Sequence, residues 1–138
     1  MGIIAIENFL PEPPAYRIIV CGSREWEDAL LIEHELMKIK EQYRGYPTII
    51  VHGAGRGADS LADHVAKTLR LEVEPHPADW SKYGKIAGFL RNQEMADLGA
   101  QLCLVFKDGI DESLTTGGTE HMMVVCMRRQ IPIRHIYH

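Results

Sequence analysis

The sequence predicts an α/β protein: a Rossmann-like three-layer αβα sandwich, in which helices cover both faces of a five-stranded, mostly parallel sheet. Two observations favour this fold class. Five short apolar runs alternate with four segments of helical periodicity along the 138 residues, and such alternation is typical of βαβ units with right-handed crossovers. Glycine-containing loops follow several of the runs, as they do where ligands meet sheets of this class. We therefore predict that the unusual loops lie together at the carboxyl edge of one sheet.

The predicted strands are short, apolar and bounded by turn residues. They cover residues 17–21, 49–51, 71–74, 101–106 and 131–136. The predicted helices have apolar residues at three-four spacing. They cover about residues 29–44, a segment that carries Leu61 to Leu69, about residues 85–98, and a segment from Gly117 through the apolar run 122–127. Asp28 is placed to cap the first helix, and residues 78–84 are predicted to form a polar loop.

The chain divides into a short arm and one domain. Residues 1–15 contain an apolar run followed by Pro11, Pro13 and Pro14, which force an extended connector. Residues 16–138 are predicted to form a single domain, because a chain of this length has room for one core. We expect the arm to pack on its own domain or on a neighbouring subunit, since its apolar side chains would otherwise stay in water.

The composition excludes several classes of protein. A net charge of -4 disfavours nucleic acid and membrane surfaces as partners, because both require a basic footprint. The three cysteines, Cys21, Cys103 and Cys126, form no CxxC pair and lie in apolar runs, so they predict neither a disulfide framework nor a zinc site. No apolar segment approaches the length of a membrane span. We expect a cytoplasmic protein with no metal and no cofactor.

The glycine-rich turn after the second strand is the central candidate for a ligand site. In the stretch VHGAGRGAD, Gly53, Gly55 and Gly57 permit positive φ and close backbone approach, and Ala54 belongs to the same turn. N–H groups at the start of the following helix are then predicted to point at an anion, which the helix dipole also favours. The alternative is a turn that merely connects two elements.

Two charged side chains belong to the same stretch. Arg56 stands between glycines and is predicted to reach the anion. Asp59 would repel a phosphate, so we expect it to cap the helix or to accept hydrogen bonds from ribose hydroxyl groups. Capping is the favoured role.

Gly22, Ser23 and Arg24 follow the first strand, where the first βα loop of such a sheet meets a phosphate. The glycine allows close approach, the serine hydroxyl donates a hydrogen bond, and the guanidinium provides a forked, charge-assisted contact. Trp26 adds an aromatic ring to this predicted ligand-binding loop. The alternative is a surface arginine beside a turn.

Arg91 lies on the same helix face as Met95 and Leu98, which are predicted to be buried. A charge on an apolar stripe needs a partner, and we predict that the ligand is that partner. The neighbouring Asn92 is predicted to bond a base or sugar edge. The alternatives are an arginine that extends to solvent along its apolar stem, or one that pairs with an acidic neighbour on the helix.

The start of the last helix is a second anion-ready N-terminus. Gly117, Gly118 and Thr119 open it, and Thr116 offers a further hydroxyl donor. Glu120 is a candidate acid, base or dipole partner in the first turn. The alternative is an ordinary capped helix start.

Asp79 and Trp80 precede the third helix and are predicted to cover the ligand, with plain loop packing as the alternative. Other chemistries find less support in the sequence. It lacks the GxxxxGK[ST] motif of P-loop enzymes, and its seven histidines are scattered without metal-ligand spacing.

Five ordered motifs resemble the YspA-like branch of the SLOG superfamily. They are Gly22-Ser23-Arg24, the VHGAGRGAD stretch, Pro77-Ala78-Asp79-Trp80, Ala87-Gly88 with Arg91-Asn92, and Gly118-Thr119. The resemblance extends from about residue 17 to residue 136. It implies a Rossmann-like fold that binds nucleotides or nucleotide-derived ligands. The same superfamily includes the LOG proteins, which hydrolyse nucleoside 5′-monophosphates to free base and ribose 5-phosphate.

The resemblance to the LOG proteins breaks at the catalytic glutamate. Their signature PGGxGTxxE ends in a glutamate that works with an arginine of the preceding helix, and Arg91 resembles that arginine. When Gly118-Thr119 is placed on the Gly-Thr of the signature, Met122 occupies the glutamate position. Glu120 lies two residues away, which turns it through roughly 200° on a helix. The resemblance therefore implies the binding crevice more strongly than it implies hydrolysis.

These observations support three hypotheses. The first is a binding protein that holds AMP, ADP-ribose or a cyclic-nucleotide-like ligand, as a sensor or as a sequestering protein of a phage or mobile element. The second is a LOG-like phosphoribohydrolase in which Arg91 acts with Glu120 or Asp79. The third is a scaffold with a vestigial crevice. We expect a homo-oligomer whose interface includes residues 122–127, because the last helix has no polar face there.

Overall fold

In this computed structural model, residues 15–114 and 117–138 are described. Most of the predicted arm, together with Thr116, lies outside them. The strands are β1 Tyr16–Gly22, β2 Thr48–His52, β3 Glu72–Pro75, β4 Leu102–Phe106 and β5 Ile133–Ile136. The helices are α1 Ala29–Gln42, α2 Ala58–Thr68, α3 Trp80–Tyr83, α4 Ala87–Asp97 and α5 Gly117–Arg128, and the 3-10 turn Gly84–Ile86 separates α3 from α4.

The five strands form one parallel sheet in the order β3-β2-β1-β4-β5. The predicted fold class is thus confirmed. Between β3 and β4 the chain crosses from one half of the sheet to the other, so β1 and β4 are neighbours at the point where the strand order reverses. Their carboxyl ends meet at the pair Gly22 and Phe106, which is where ligands bind in open sheets of this kind.

The alternation of side chains along β1 divides the core into two layers. Ile18 and Val20 face α1 and α2, together with Ile50, Leu104 and Phe106. Ile19 and Cys21 face α4 and α5, together with Val51, Cys103 and Val105. Strands that are buried on both faces read as continuous apolar runs, which is why the sequence marked β1, β2 and β4 clearly.

The main departure from the predicted elements is at residues 78–84, where α3 and the 3-10 turn replace the predicted loop. Asp79 caps α3, because its Oδ1 accepts hydrogen bonds from the Lys82 N–H at 3.1 Å and the Ser81 hydroxyl at 2.8 Å. A four-residue helix is too short to show apolar periodicity, so it leaves no periodic signal in the sequence. Asp28 caps α1 as predicted, accepting from the Leu31 N–H at 3.0 Å.

Helix α5 packs its apolar run largely within the chain. Met122, Val125 and Cys126 are buried, whereas 48% of Met127 remains exposed. The subunit interface predicted for residues 122–127 therefore stays a prediction. Within the described ranges, every helix is too short or too polar to span a bilayer.

Candidate ligand-binding crevice

A crevice of about 690 Å³ opens at the carboxyl edge of the sheet, a volume typical of small-molecule sites. Loops after β1, β2, β3 and β4 contribute to it, together with α4 and the start of α5. The predicted residues that line it are Gly22, Ser23, Arg24, Gly53, Ala54, Gly55, Arg56, Asp59, Trp80, Arg91, Asn92, Gly117, Gly118 and Thr119. Arg24, Gly55 and Gly118, from three separate loops, therefore line one crevice.

Main-chain hydrogen bonds hold the loop after β1 against its neighbours. The Ser23 N–H donates to the Phe106 carbonyl at 2.9 Å, and the Ser23 carbonyl accepts from the Ala58 N–H at 3.1 Å. Ser23 Oγ accepts from the Glu25 N–H at 3.0 Å, an arrangement that allows its hydroxyl hydrogen to point elsewhere. Arg24 is exposed at the crevice, and no carboxylate of residues 15–114 or 117–138 is seen to pair with its guanidinium.

The glycine-rich turn after β2 depends on a residue without a side chain at position 57. Gly57 is the N-cap of α2 and has φ 72°, in the left-handed region that favours glycine. A Cβ there would stand 2.4 Å from the Ser23 carbonyl oxygen. Because the Cβ would clash with main-chain atoms of another loop, the clash could be relieved only if the main chain of one loop moved. The turn therefore locks the loops after β1 and β2 together.

His52 holds the same turn from behind, a role that the sequence did not reveal. It is buried, with 3% of its surface exposed. Its Nδ1 accepts from the Ala54 N–H at 3.0 Å, and its Nε2 lies 2.7 Å from Asp63 Oδ2. Since Nδ1 is the acceptor, Nε2 carries the proton and donates it to Asp63. The histidine thereby supports Ala54, whose φ of 58° is unusual for a residue with a side chain.

Several N–H groups around the predicted anion cradle after β2 are bonded within the chain, and an anion contact of the remaining first-turn N–H groups of α2 stays a prediction. The Ala54 N–H is bonded to His52, the Gly55 N–H donates to Asp59 Oδ2 at 3.1 Å, and the Ala58 N–H donates to Ser23. Three N–H groups of the predicted cradle are therefore already satisfied inside the chain. The turn presents a carboxylate to the crevice in their place.

Asp59 also differs from its predicted role as a helix cap, because Gly57 is the N-cap and no side chain caps α2. Burial raises the pKa of the Asp59 carboxyl, although the hydrogen bond from Gly55 and the nearby His52 and Arg91 act in the opposite direction. A partly buried carboxyl with a raised pKa in a cleft is a candidate for ligand recognition or proton transfer.

Arg91 extends from α4 across the crevice to the end of β2. Its Nη1 donates to the Gly53 carbonyl, and its Nε donates to Asn92 Oδ1 at 2.9 Å. A Cβ at Gly53 would stand 2.5 Å from Nη1, so a larger residue there would require the guanidinium to shift. Burial lowers the pKa of Arg91; the charge of Asp59 opposes this effect and that of Arg24 reinforces it. We predict the ligand as the partner of the Arg91 charge, and the main-chain carbonyl of Gly53 already supplies part of that partnership.

Asn92 connects the two helices behind the crevice. It is buried, and its Nδ2 donates to the Gly118 carbonyl at 3.0 Å and lies 3.2 Å from His121 Nδ1. Its Oδ1 accepts from Arg91. These contacts position Arg91 and the start of α5, and the predicted contact of Asn92 with a base or sugar stays a prediction.

The start of α5 is fastened to the end of β1. Thr119 Oγ1 donates to the Gly22 carbonyl at 3.0 Å, while Gly117 and Gly118 are exposed at the crevice. N–H groups in a first helical turn lack acceptors within their own helix, and the dipole favours an anion beside them. This part of the predicted anion site therefore keeps its chemical basis.

Glu120 does not line the crevice. It is 1% exposed, and both carboxylate oxygens accept from Lys107 Nζ, at 2.7 and 2.9 Å. Lys107 itself lines the crevice, although the sequence did not single it out. Glu120 thus holds the lysine in place, and the geometry does not bring its carboxylate to Arg91 as the predicted catalytic pair requires. Met122, at the position of the LOG glutamate, is buried in the core.

Besides Glu120, Trp26 and Asp79 are described residues of the predicted site that do not line the crevice. Trp26 belongs to the core, with 4% of its surface exposed, and its ring stacks on His138 at 4.6 Å between centroids. Its aromatic character is explained by packing. Asp79 contributes to the crevice indirectly, because it caps the helix that carries Trp80.

The cysteines are core residues, as predicted. All three are free and buried, and Cys21 Sγ lies 3.9 Å from Cys103 Sγ. Contacts with Cys126 and Cys21, together with burial, raise the pKa of the Cys103 thiol. In the described part of the chain, no group of three or more histidine, cysteine or acidic side chains is arranged to hold a metal ion.

A parallel 3-2-1-4-5 sheet with its loops converging on a crevice at the switch point defines the class of Rossmann-like α/β proteins with a carboxyl-edge site. The sequence model of the YspA, cpYpsA-related SLOG family matches residues 16–83. The chain belongs to this family, and the predicted resemblance is confirmed.

The chain is also similar to a phage protein in sequence and to a solved structure in fold. It is 39% identical over 123 residues to the Gene 61 protein of Mycobacterium phage D29, covering 85% of this chain and 93% of the phage protein. Its fold is similar to the X-ray structure of DNA processing protein A (DprA) from Streptococcus pneumoniae, with a TM-score of 0.69 and 15% sequence identity. That similarity covers 90% of this chain but only 51% of the DprA chain, so the chain spans about half of DprA.

Proposed function

We propose that this chain binds a nucleotide or nucleotide-derived small molecule in the crevice, as a cytoplasmic sensor or sequestering protein. The observation that carries the proposal is the convergence of Arg24, Arg91 and the start of α5 on one crevice of about 690 Å³. Guanidinium groups and a helix N-terminus both attract phosphate oxygens. The crevice is also large enough for a sugar and a base beside the phosphate.

The phosphate is best accommodated between Arg24 and the start of α5. On this side the Ser23 hydroxyl and the N–H groups of the first turn of α5 supply donors. Lys107 adds little net charge, because Glu120 pairs with it. The Asp59 carboxylate, which also lines the crevice, would repel a phosphate but can accept hydrogen bonds from hydroxyl or amino groups. Arg24 and Asp59 therefore favour opposite ends of a nucleotide.

The relationship to a phage protein supports the sequestering role over the sensing role. A sequestering protein needs an enclosed site with tight binding and no turnover. Candidate ligands are AMP, ADP-ribose and cyclic nucleotides, which share a phosphate and a base.

Thermal and chemical denaturation with these compounds tests the proposal. A ligand present at 100 times its Kd stabilises the folded state by about 2.7 kcal/mol. We expect at least one of AMP, ADP-ribose and cyclic AMP to give this stabilisation. We expect the stabilisation to be lost in Arg91→Ala. The matched control is Arg129→Ala, which removes an exposed arginine paired with Asp97 far from the crevice. An absence of stabilisation by every compound would contradict the proposal.

A second candidate function is the LOG-like hydrolysis of nucleoside 5′-monophosphates. It is supported by the presence of Arg91 and Asp59 in the same crevice, since a raised carboxyl pKa suits proton transfer. In this version Asp59 takes the role first predicted for Glu120 or Asp79, which lie elsewhere. Chromatography of AMP incubated with the protein separates the two functions. Released adenine that disappears in Asp59→Asn supports hydrolysis, and intact AMP supports pure binding.

We also propose that the protein is a homo-oligomer with α5 at its interface, where Met127 is 48% exposed. Light scattering on the wild type and on Met127→Glu tests this. A monomeric wild type would contradict it.

A further inference from the structure

We propose that Trp80 is the platform on which the planar base of the ligand stacks, so that the base occupies the Trp80 side of the crevice and the phosphate the Arg24 side. This inference rests on the proposed function and adds the orientation of the ligand and the residue that recognises its base. The ligand class is a base-containing phosphate ester rather than a bare sugar phosphate or inorganic phosphate.

The first support is the accessibility of the indole ring. Trp80 lines the crevice and keeps 51% of its surface exposed, whereas Trp26 is 4% exposed in the core. A half-exposed tryptophan leaves a large apolar area in water, and aromatic rings placed this way in a polar crevice suit a flat partner. Bases stack on aromatic side chains whatever their hydrogen-bonding pattern.

The second support is that the ring is held in position before any ligand arrives. Asp79 caps α3 through Lys82 and Ser81, and the Tyr83 N–H donates to the Asp79 carbonyl at 3.0 Å. One edge of the indole packs on α4, where a Cβ at Gly88 would stand 3.2 Å from Trp80 Cη2. A residue larger than glycine would require the ring to shift by a few tenths of an ångström. A fixed ring loses little conformational freedom on binding.

The third support is the polar groups beside the ring. The same point above Gly88 lies 3.6 Å from Arg91 Nη2, so the guanidinium and the indole flank one wall of the crevice. Asp59 lines the crevice too and supplies a carboxylate for hydroxyl or amino groups. A ring, a donor and an acceptor together match a nucleoside, whereas a phosphate would find a repulsive carboxylate there.

The exposed side chains near Trp80 sharpen the choice of residue. Tyr83, Ile86 and Phe89 are also exposed but do not line the crevice. If these exposed side chains formed a docking surface for another macromolecule, substitutions of Tyr83 and of Trp80 would have similar effects. Under the stacking proposal, only Trp80 affects ligand binding.

Calorimetric titration of AMP and of ribose 5-phosphate tests the proposal with three variants. We expect Trp80→Ala to weaken AMP binding about 5- to 150-fold, the range measured for loss of one stacked base. Ribose 5-phosphate has no base, so its affinity should change less than about twofold. Trp80→Phe should retain most of the AMP affinity. Tyr83→Ala, the matched control on the same helix, should change neither affinity.

The possible failures are distinguishable. If the wild type binds neither compound, the proposed function fails and the stacking proposal fails with it. If both compounds bind and Trp80→Ala weakens them equally or not at all, the proposed function stands and the platform is overturned. A change in oligomeric state in Trp80→Ala and Tyr83→Ala, with AMP binding intact, likewise overturns the platform and identifies an interface. Melting temperatures of the variants verify that each is folded.

Discussion

Two glycine-rich segments of this protein have the same signature in sequence and different chemistry in the structure. The turn at residues 53–57 and the start of α5 at residues 117–119 both precede a helix and both line the crevice. In the first, the Ala54 and Gly55 N–H groups are bonded to His52 and Asp59. In the second, the contact with the sheet is made by a side chain, since Thr119 Oγ1 donates to the Gly22 carbonyl.

The comparison shows that glycines in a loop determine the path of the main chain. They do not determine whether the N–H groups of that loop are free to bind a ligand. Gly57 is required because the Ser23 carbonyl passes 2.4 Å from the site of a Cβ. The positive φ there serves packing between two loops. An anion site needs free N–H groups and positive charge in addition, and we propose that it lies beside Arg24 and the first turn of α5.

The largest expected effect is on the packing role of the first turn. Gly57→Ala should lower the free energy of unfolding by about 3 kcal/mol or more, because it combines a strained φ with a main-chain clash. Gly109→Ala is the control, since its Cβ would meet nothing within 4 Å. Urea denaturation of both variants measures the difference. If Gly57→Ala is as stable as Gly109→Ala, the turn does not lock the loops together.

Glu120→Gln should have the next largest effect. It removes the charge that pairs with Lys107 at 2.7 Å while leaving a buried polar group. We expect a loss of about 2 kcal/mol, below the range for a fully buried pair because the lysine is partly exposed. Glu112→Gln, at an exposed position, is the control in the same denaturation experiment. If Glu120→Gln is as stable as the wild type and its hydrolysis and ligand binding are unchanged, the structural role assigned to the Glu120 carboxylate is contradicted.

The His52 contact with Ala54 predicts a smaller effect, of about 1 kcal/mol. His52→Ala removes the acceptor for the Ala54 N–H, and a typical hydrogen bond contributes about this amount. His52→Asn keeps an acceptor near the position of Nδ1 and should recover part of the protection of the Ala54 amide against hydrogen exchange. Equal protection in all three proteins would show that the histidine does not hold the turn.

Asp59→Asn gives the smallest change and separates the two sides of the crevice. If the phosphate binds near Arg24 and α5, removing the Asp59 charge should alter the affinity for inorganic phosphate by less than about threefold at a partly screened distance. AMP should bind more weakly, because an acceptor for its sugar or base is lost. A strong gain in phosphate affinity would place the phosphate in the turn at residues 53–57.

The same variant has a predicted pH dependence. Burial raises the pKa of Asp59 above 3.8, so the folded state holds this proton more tightly than the unfolded state. The carboxyl therefore contributes stability at low pH that is lost as pH rises from 3.8 through the raised pKa. The unfolding free energy of Asp59→Asn should lack that loss, and its difference from the wild type should grow across this window before levelling off.

The fold was predictable because the strands buried on both faces and the caps of the long helices leave local signals. The run at β4, Leu102–Phe106, is buried at every position, and Asp28 marks the start of α1 through its side chain. Helix α3 left no such signal, because four residues do not complete a periodic pattern. Trp26 was assigned to the ligand because its loop position is the same whether its ring faces the crevice or the core.

The site residues were predictable where they follow a strand and unpredictable where they act through another residue. Arg24, Gly53 and Gly118 are placed by the topology alone. His52 with Asp63, and Glu120 with Lys107, are pairs 11 and 13 residues apart, and only the folded chain shows which partner each side chain finds. The roles of Asp59 and Asn92 likewise depended on which main-chain groups lay within reach.

The most direct test of the account is the affinity for AMP of Arg24→Ala compared with Arg56→Ala. Both arginines line the crevice, but Arg56 is 73% exposed and already donates to Glu25 at 2.9 Å. We expect a loss of about 10- to 100-fold for Arg24→Ala, the effect of one charge-assisted hydrogen bond, and of less than about twofold for Arg56→Ala. Equal losses, or a larger loss at Arg56, would place the anion in the turn after β2 and contradict the account.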